Sequence, residues 1–201
     1  MSLGEGGRRW AGFSFLVALL VTGCASSGAV PPGPGYQRGG LPELRGTRVM
    51  ILPLQLAERV HPDLERELVY ALREAEGGGS LWVSPDELAL LLQRSPGMEI
   101  PLRTLPVRPF LAGELQRVGD PLFGQLYRLG VLSGAGFALL PVEARVAEGD
   151  GPAPVQLSAA LLDTRTGQVL WFGILQGEAG PIGALAPAAT VAEVLARRLL
   201  P

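Results

Sequence analysis

The sequence predicts an α/β (α+β) fold: a single mixed-sheet domain of about five strands packed with about four helices, preceded by an export signal and a flexible tether. Three observations carry this expectation. The 201 residues are 47% hydrophobic, enough for one core of ordinary size and a short extension but not for two cores. From Thr47 onward, short β-branched runs alternate with stripes of Leu at helical spacing. Between residues 155 and 177, two further apolar runs flank a polar turn, the pattern of a hairpin.

Residues 1–23 read as an export signal. Arg8 and Arg9 supply a positive leader, Trp10 to Val21 is apolar, and the small residues Thr22 and Gly23 precede Cys24, the single cysteine. As a helix, the apolar run covers about 20 Å, short of the roughly 30 Å of hydrocarbon that a spanning helix crosses. Val21-Thr22-Gly23-Cys24 resembles the lipobox of bacterial lipoproteins. The resemblance implies that diacylglycerol is added to the Cys24 sulfur, that the chain is cut before it, and that the new amine is acylated. One acyl chain holds a protein only marginally, at about 0.8 kcal/mol per buried methylene, whereas two or three hold it stably. The mature protein is therefore expected to be membrane-anchored through Cys24. Ala25 stands where lipoproteins kept in the inner membrane often carry Asp, so the resemblance implies the outer membrane, with the domain facing the periplasm.

Residues 24–46 comprise the lipidated cysteine and a Gly-, Pro- and Ser-rich tether, too poor in apolar surface to offset the entropy of ordering it. The domain is expected over 47–201. In it, "TRVMILPLQ" reads as a buried strand running up to Pro53. His61-Pro62-Asp63 opens a helix whose inward stripe is Leu64, Leu68, Leu72 and Ala75. Leu81-Trp82-Val83 is a short strand, and Ser84 with Glu87 forms a capping box ahead of Leu88, Leu91 and Leu92. Four prolines interrupt the stretch from Arg94 to Phe110, which is expected to be an extended surface loop. Asp120 caps a helix over Pro121 to Leu132, with Leu122, Leu126 and Leu129 inward.

Phe137 to Ala147 is a strand, with Ala138, Leu140, Val142, Ala144 and Val146 on one face and Glu143 and Arg145 on the other. The hairpin turns at Asp163 to Gly167, where Asp bonds to the turn backbone and Gly accepts positive φ. Both its faces are apolar in the middle, so both should be covered, by the chain's own helix or by a partner. A last helix, Thr190 to Leu200, turns Val191, Val194, Leu195 and Leu199 inward.

This order of elements, with "ILPLQ" early and "LLDTRTGQVLW" late, resembles the α/β domain shared by the TolB amino-terminal region, the curli-secretion lipoprotein CsgG and the peptidoglycan-synthase activator LpoB. The resemblance covers most of residues 47–200 and implies the fold of a bacterial envelope domain. Relatives often carry an acidic residue in a "GAD" step before the third long strand; this chain has Gly134-Ala135-Gly136.

The residues available for chemistry are few. Neither Lys nor Asn occurs, so there is no phosphate-loop lysine, Schiff base or Ser-Lys dyad. Lipidation of Cys24 removes the only thiol. His61 stands alone at a helix start, where a solvated or capping role is expected. Gly134 and Gly136 precede a strand instead of bridging strand to helix, so they read as a turn and not as a phosphate loop. Asp63, Glu65, Glu67, Asp86 and Glu87 lie in first helical turns, where the helix dipole accounts for them. Glu143 and Asp163 are a conceivable pair of acids for glycoside hydrolysis, although Asp163 also fits a turn. No cofactor, no metal site and no catalytic residue is expected. The net charge of −2, without a basic stripe, points away from nucleic acid.

Contact is thus expected to replace turnover: a non-catalytic interaction or assembly module with a cell-envelope protein partner, and with homo-oligomers open. Candidate partner-binding residues are Leu102, Leu105 and Phe110 in the proline-rich loop, and Trp171 and Phe172 on the hairpin; the competing readings are a plain connector and ordinary core. An alternative function is a transport auxiliary that holds lipid or another apolar ligand in an enclosed pocket. A secretion pore would need long alternating segments that the prolines deny.

Overall fold

A computed structural model of the protein describes residues 35–37, 39–77, 81–112, 116–146, 149 and 151–201. Cys24 and the expected export signal, residues 1–23, lie outside the described residues. Among the described residues, seven strands form one mixed sheet: β1 (Gly35–Gln37), β2 (Val49–Ile51), β3 (Leu56–Glu58), β4 (Trp82–Val83), β5 (Phe137–Val146), β6 (Ala153–Asp163) and β7 (Val169–Gly180). Five helices among the described residues accompany them: α1 (Leu64–Glu76), α2 (Pro85–Gln93), α3 (Arg108–Ala112), α4 (Leu122–Ser133) and α5 (Leu185–Leu199). The expected α/β class and mixed sheet are what the chain adopts. The two added strands, β1 and β3, and the added helix α3 are each five residues or fewer.

The strand order is β1-β7-β6-β5-β2-β4, with β3 pairing β5 beyond the end of β2. β5, β6 and β7 form an antiparallel meander, whereas β2 and β3 run parallel to β5 and lie end to end along it. Between them the chain keeps to β5, since Leu52 donates its N–H to Leu139 and Gln55 donates to Pro141. The sheet divides the apolar residues into two cores. On one side, Leu68 and Leu72 of α1 and Val191, Leu195 and Leu199 of α5 pack on Val49, Leu157, Leu161 and Trp171. On the other, Leu88 of α2 and Leu126 and Leu129 of α4 pack on Met50, Ala138, Leu140 and Leu162. Both faces of the hairpin are thus covered by the chain's own elements over their apolar part.

β5 departs from simple alternation. Ala138, Leu140 and Val142 enter the second core as expected, but Ala144 and Val146 enter the first. The register with β6 shifts between Pro141 and Glu143, so one extra residue flips every later side chain to the opposite face. Pro141 has no N–H for the ladder, and a bulge is where a central strand tolerates that.

The fold also reaches further toward the amino terminus than composition suggested. β1 pairs with β7 through Gly35–Gly173 to Gln37–Trp171, and Leu44 is 1% exposed in the first core. At the opposite corner, the αL residue Gly134 ends α4, and Thr164 ties the hairpin turn to it. The Thr164 hydroxyl donates toward the Ala135 and Gly136 carbonyls at 3.0 Å. Gly130 admits that contact, because a Cβ there would lie 2.8 Å from the Thr164 Oγ1.

Candidate functional site

The start of α2 is the best-built piece of surface. The Ser84 hydroxyl accepts the Glu87 N–H, and the Glu87 carboxylate accepts the Ser84 N–H at 2.6 Å, completing the expected capping box. Arg73 of α1 donates to the Trp82 carbonyl and to Glu87, each at 2.7 Å, which locks α1 to the β4–α2 junction. Across from α2, the proline-rich segment is held by two side chains. Gln55 donates to the carbonyls of Pro53 and Leu102, at 2.7 and 2.9 Å, and accepts the Leu105 N–H at 2.8 Å. Arg103 makes a two-pronged contact with Glu65, at 3.0 and 3.2 Å, while Glu65 also accepts the Leu54 N–H.

Between these fixed walls lie two hollows of about 480 and 400 Å³ that meet at Pro85 and Asp86. The first runs beside α1, past Val69, Tyr70 and Glu74; the second runs past Ala89, Leu92 and Leu102. Together they make one surface groove. Its charges are unevenly matched. Arg66, Arg73 and Arg103 pair with Asp63, Glu87 and Glu65 respectively. Among the described residues, Glu74 and Asp86 have no cation at salt-bridge distance. The hydrogen bond from Arg66 holds the Asp63 carboxyl below its ordinary range, with partial desolvation acting against it and the charge of Arg66 assisting. For Glu87, desolvation pushes upward, but the hydrogen bonds from Ser84 and the charge and hydrogen bond of Arg73 outweigh it, so the net direction is down.

The candidate partner-binding residues do not form one surface. Leu105 and Phe110 are 4% and 3% exposed, and Trp171 is 3% exposed. The proline-rich stretch folds inward here: Ile100, Leu105, Val107 and Phe110 all enter the second core, and α3 closes over it. It is a core segment, not the expected surface loop. Phe110 stacks on Phe172, with ring centroids 6.0 Å apart. Phe110 of the loop and Phe172 of the hairpin, expected on two separate docking surfaces, therefore pack on each other, while Trp171 enters the first core on the other side of the sheet. Leu102 is partly exposed and borders the groove, and Phe172 is partly exposed as well.

The other singled-out residues have local roles. The His61 Nδ1 accepts the Asp63 N–H at 3.1 Å, a capping contact at the start of α1. Asp163 accepts the N–H groups of Arg165 and Thr166 at 2.8 and 2.9 Å, as a turn former does. Asp163 pairs with Phe137, whereas Glu143 lies six residues further along the same strand. At about 3.3 Å per residue that separates the two acids by roughly 20 Å, well beyond the ~9.5 Å limit of a glycosidase pair. Among the described residues, no three His, Cys, Asp or Glu side chains gather as a metal site. Sequence reasoning passed over Gln55 and Tyr70 and assigned Glu65 and Asp86 to the helix dipole alone. The Ser84–Glu87 box, the first-turn positions of Glu65 and Asp86, and Leu102 as a candidate contact were visible beforehand; the way these residues come together was not.

No family model matches the chain, and no curated protein matches it. Among solved structures it is similar to a dodecameric PelC point variant from Paraburkholderia phytofirmans, with 15% identity over 84% of this chain and 100% of that one, and a TM-score of 0.44. The PelC dodecamer from the same organism in another crystal form is 16% identical over 82% of this chain and 96% of that one, with a TM-score of 0.40. The solution structure of E. coli LpoB is 15% identical over 67% of this chain and 57% of that one, with a TM-score of 0.37.

Proposed function

We propose that the protein is a lipid-anchored, non-catalytic interaction or assembly module of the bacterial cell envelope, held through Cys24 in the outer membrane and facing the periplasm. The single observation that carries this reading is Val21-Thr22-Gly23-Cys24 directly behind the apolar run that follows Arg8 and Arg9. Contact in place of turnover is supported by what the remaining reactive groups do: His61 caps a helix, Asp163 builds a turn, and Glu143 stands far from it. The lipid-carrier alternative is less well supported. The apolar residues on both sides of the sheet are consumed by the two cores, and the hollows at the surface are bordered by charged side chains.

In a bacterial host, the parent protein is expected in the membrane fraction and released only by detergent. The Cys24→Ala variant, which has no sulfur to acylate, is expected to lose detergent-dependent release as its form of attachment. An unprocessed precursor is recognised by the added mass of the leader. A Cys24→Ala protein processed and membrane-held like the parent would overturn the anchor.

A further inference from the structure

We propose that the groove across the start of α2 docks an extended, cationic segment of a protein partner; this deepens the contact role proposed above and rests on it. Three properties of the groove select that occupant. The first is shape: two successive hollows, joined at the Pro85–Asp86 step, accept successive side chains of an extended chain. The second is a ready-made apolar platform. Tyr70 is 66% exposed at one end, and Leu92 and Leu102 line the other. Tyrosine supplies large contact area with little rotamer entropy to lose, which is why it is enriched at interfaces.

The third property is charge. Each guanidinium in the groove already has a carboxylate, whereas Asp86 and Glu74 do not have a cation among the described residues. An incoming Arg or Lys finds two acids that are in no ion pair among the described residues, whereas an acidic segment finds each guanidinium already paired with a carboxylate. The walls are fixed beforehand by the Ser84–Glu87 box, the Gln55 amide and the Glu65–Arg103 pair, so docking requires little ordering of the groove.

The test uses the full-length protein in detergent and two short fluorescein-labelled peptides, one alternating Arg with Leu and one alternating Glu with Leu, read by fluorescence anisotropy. The Arg peptide is expected to bind, more weakly as salt rises. Its binding should fall by about tenfold in Asp86→Arg and again in Tyr70→Ser, both of which alter solvent-facing groove positions. If Asp86→Arg fails to fold, Glu74→Arg, on the exposed side of α1, reads the same charge. Equal binding of the Glu peptide, or Arg-peptide binding unchanged in both the charge and the Tyr70 variants, would overturn the proposal. So would a dimer in sedimentation that Tyr70→Ser dissociates, since the occupant would then be a second copy. The readout does not depend on the anchor: a Cys24→Ser protein that binds the Arg peptide like the parent supports the groove whatever the fate of the lipid.

Discussion

Ser84 and Glu87 illustrate how much one turn of chain can specify by itself. Four residues, Ser-Pro-Asp-Glu, contain the cap, the first helical proline and the returning carboxylate, and all three take those positions. Replacing Ser84 with Ala is expected to cost about 1 kcal/mol, measured by urea unfolding. Glu87 adds a pH signature. Its carboxyl is held below the ordinary range in the fold, so it contributes stability above its unfolded pKa. That contribution disappears as pH falls through the lower folded value. Below about pH 4.5, the urea midpoint of Glu87→Gln is therefore expected to fall less steeply than that of the parent. Equal slopes would mean that the carboxylate gains nothing from Ser84 and Arg73. The Asp163 turn was legible for the same reason as the capping box: its hydrogen-bond partners lie two and three residues away.

At the scale of elements, legibility falls with the sequence distance of the partners. The helices α1, α2 and α4 and the strands of the hairpin declare themselves through periodicity over many residues. α5 begins at Leu185, ahead of the expected Thr190, because Pro187 falls in the first turn, where a helix needs no N–H from it. β1 and β3 are three residues each and exist only as additions to β7 and β5, so no local pattern announces them. The bulge in β5 was equally hidden: Pro141 marks a lost donor, but the change of face becomes visible only in the register with β6.

The proline-rich segment gives the clearest consequence. Its prolines do prevent a long helix or strand, yet its apolar residues turn inward because Gln55 and Phe172, distant in sequence, hold them there. Phe110→Ser is accordingly expected to destabilise the whole domain by about 3–5 kcal/mol, visible as a lowered melting temperature. A variant that melts like the parent would place Phe110 outside the core.

For the molecule as a whole, the sheet uses both its faces internally, which leaves grooves and edges as its means of contact. Composition divides the chain into an expected apolar leader, a Gly/Pro-rich stretch and a core-forming remainder, and places the last boundary at Thr47. Leu44 and β1 belong to the folded unit because β7 offers an edge and the first core offers a site, neither of which is visible from the composition of residues 35–46. If Cys24 is the anchor, residues 25–34 connect it to β1, and a fully extended chain of that length spans at most about 40 Å.

Everything proposed about location depends on the chemistry of one sulfur. Metabolic labelling with radioactive palmitate, followed by the mass of the mature amino-terminal peptide, addresses that sulfur directly. The label is expected on the parent and not on Cys24→Ala, with the mature chain beginning at an acylated Cys24. An unlabelled parent, or a mature chain whose first residue lies beyond Cys24, would contradict the anchored module.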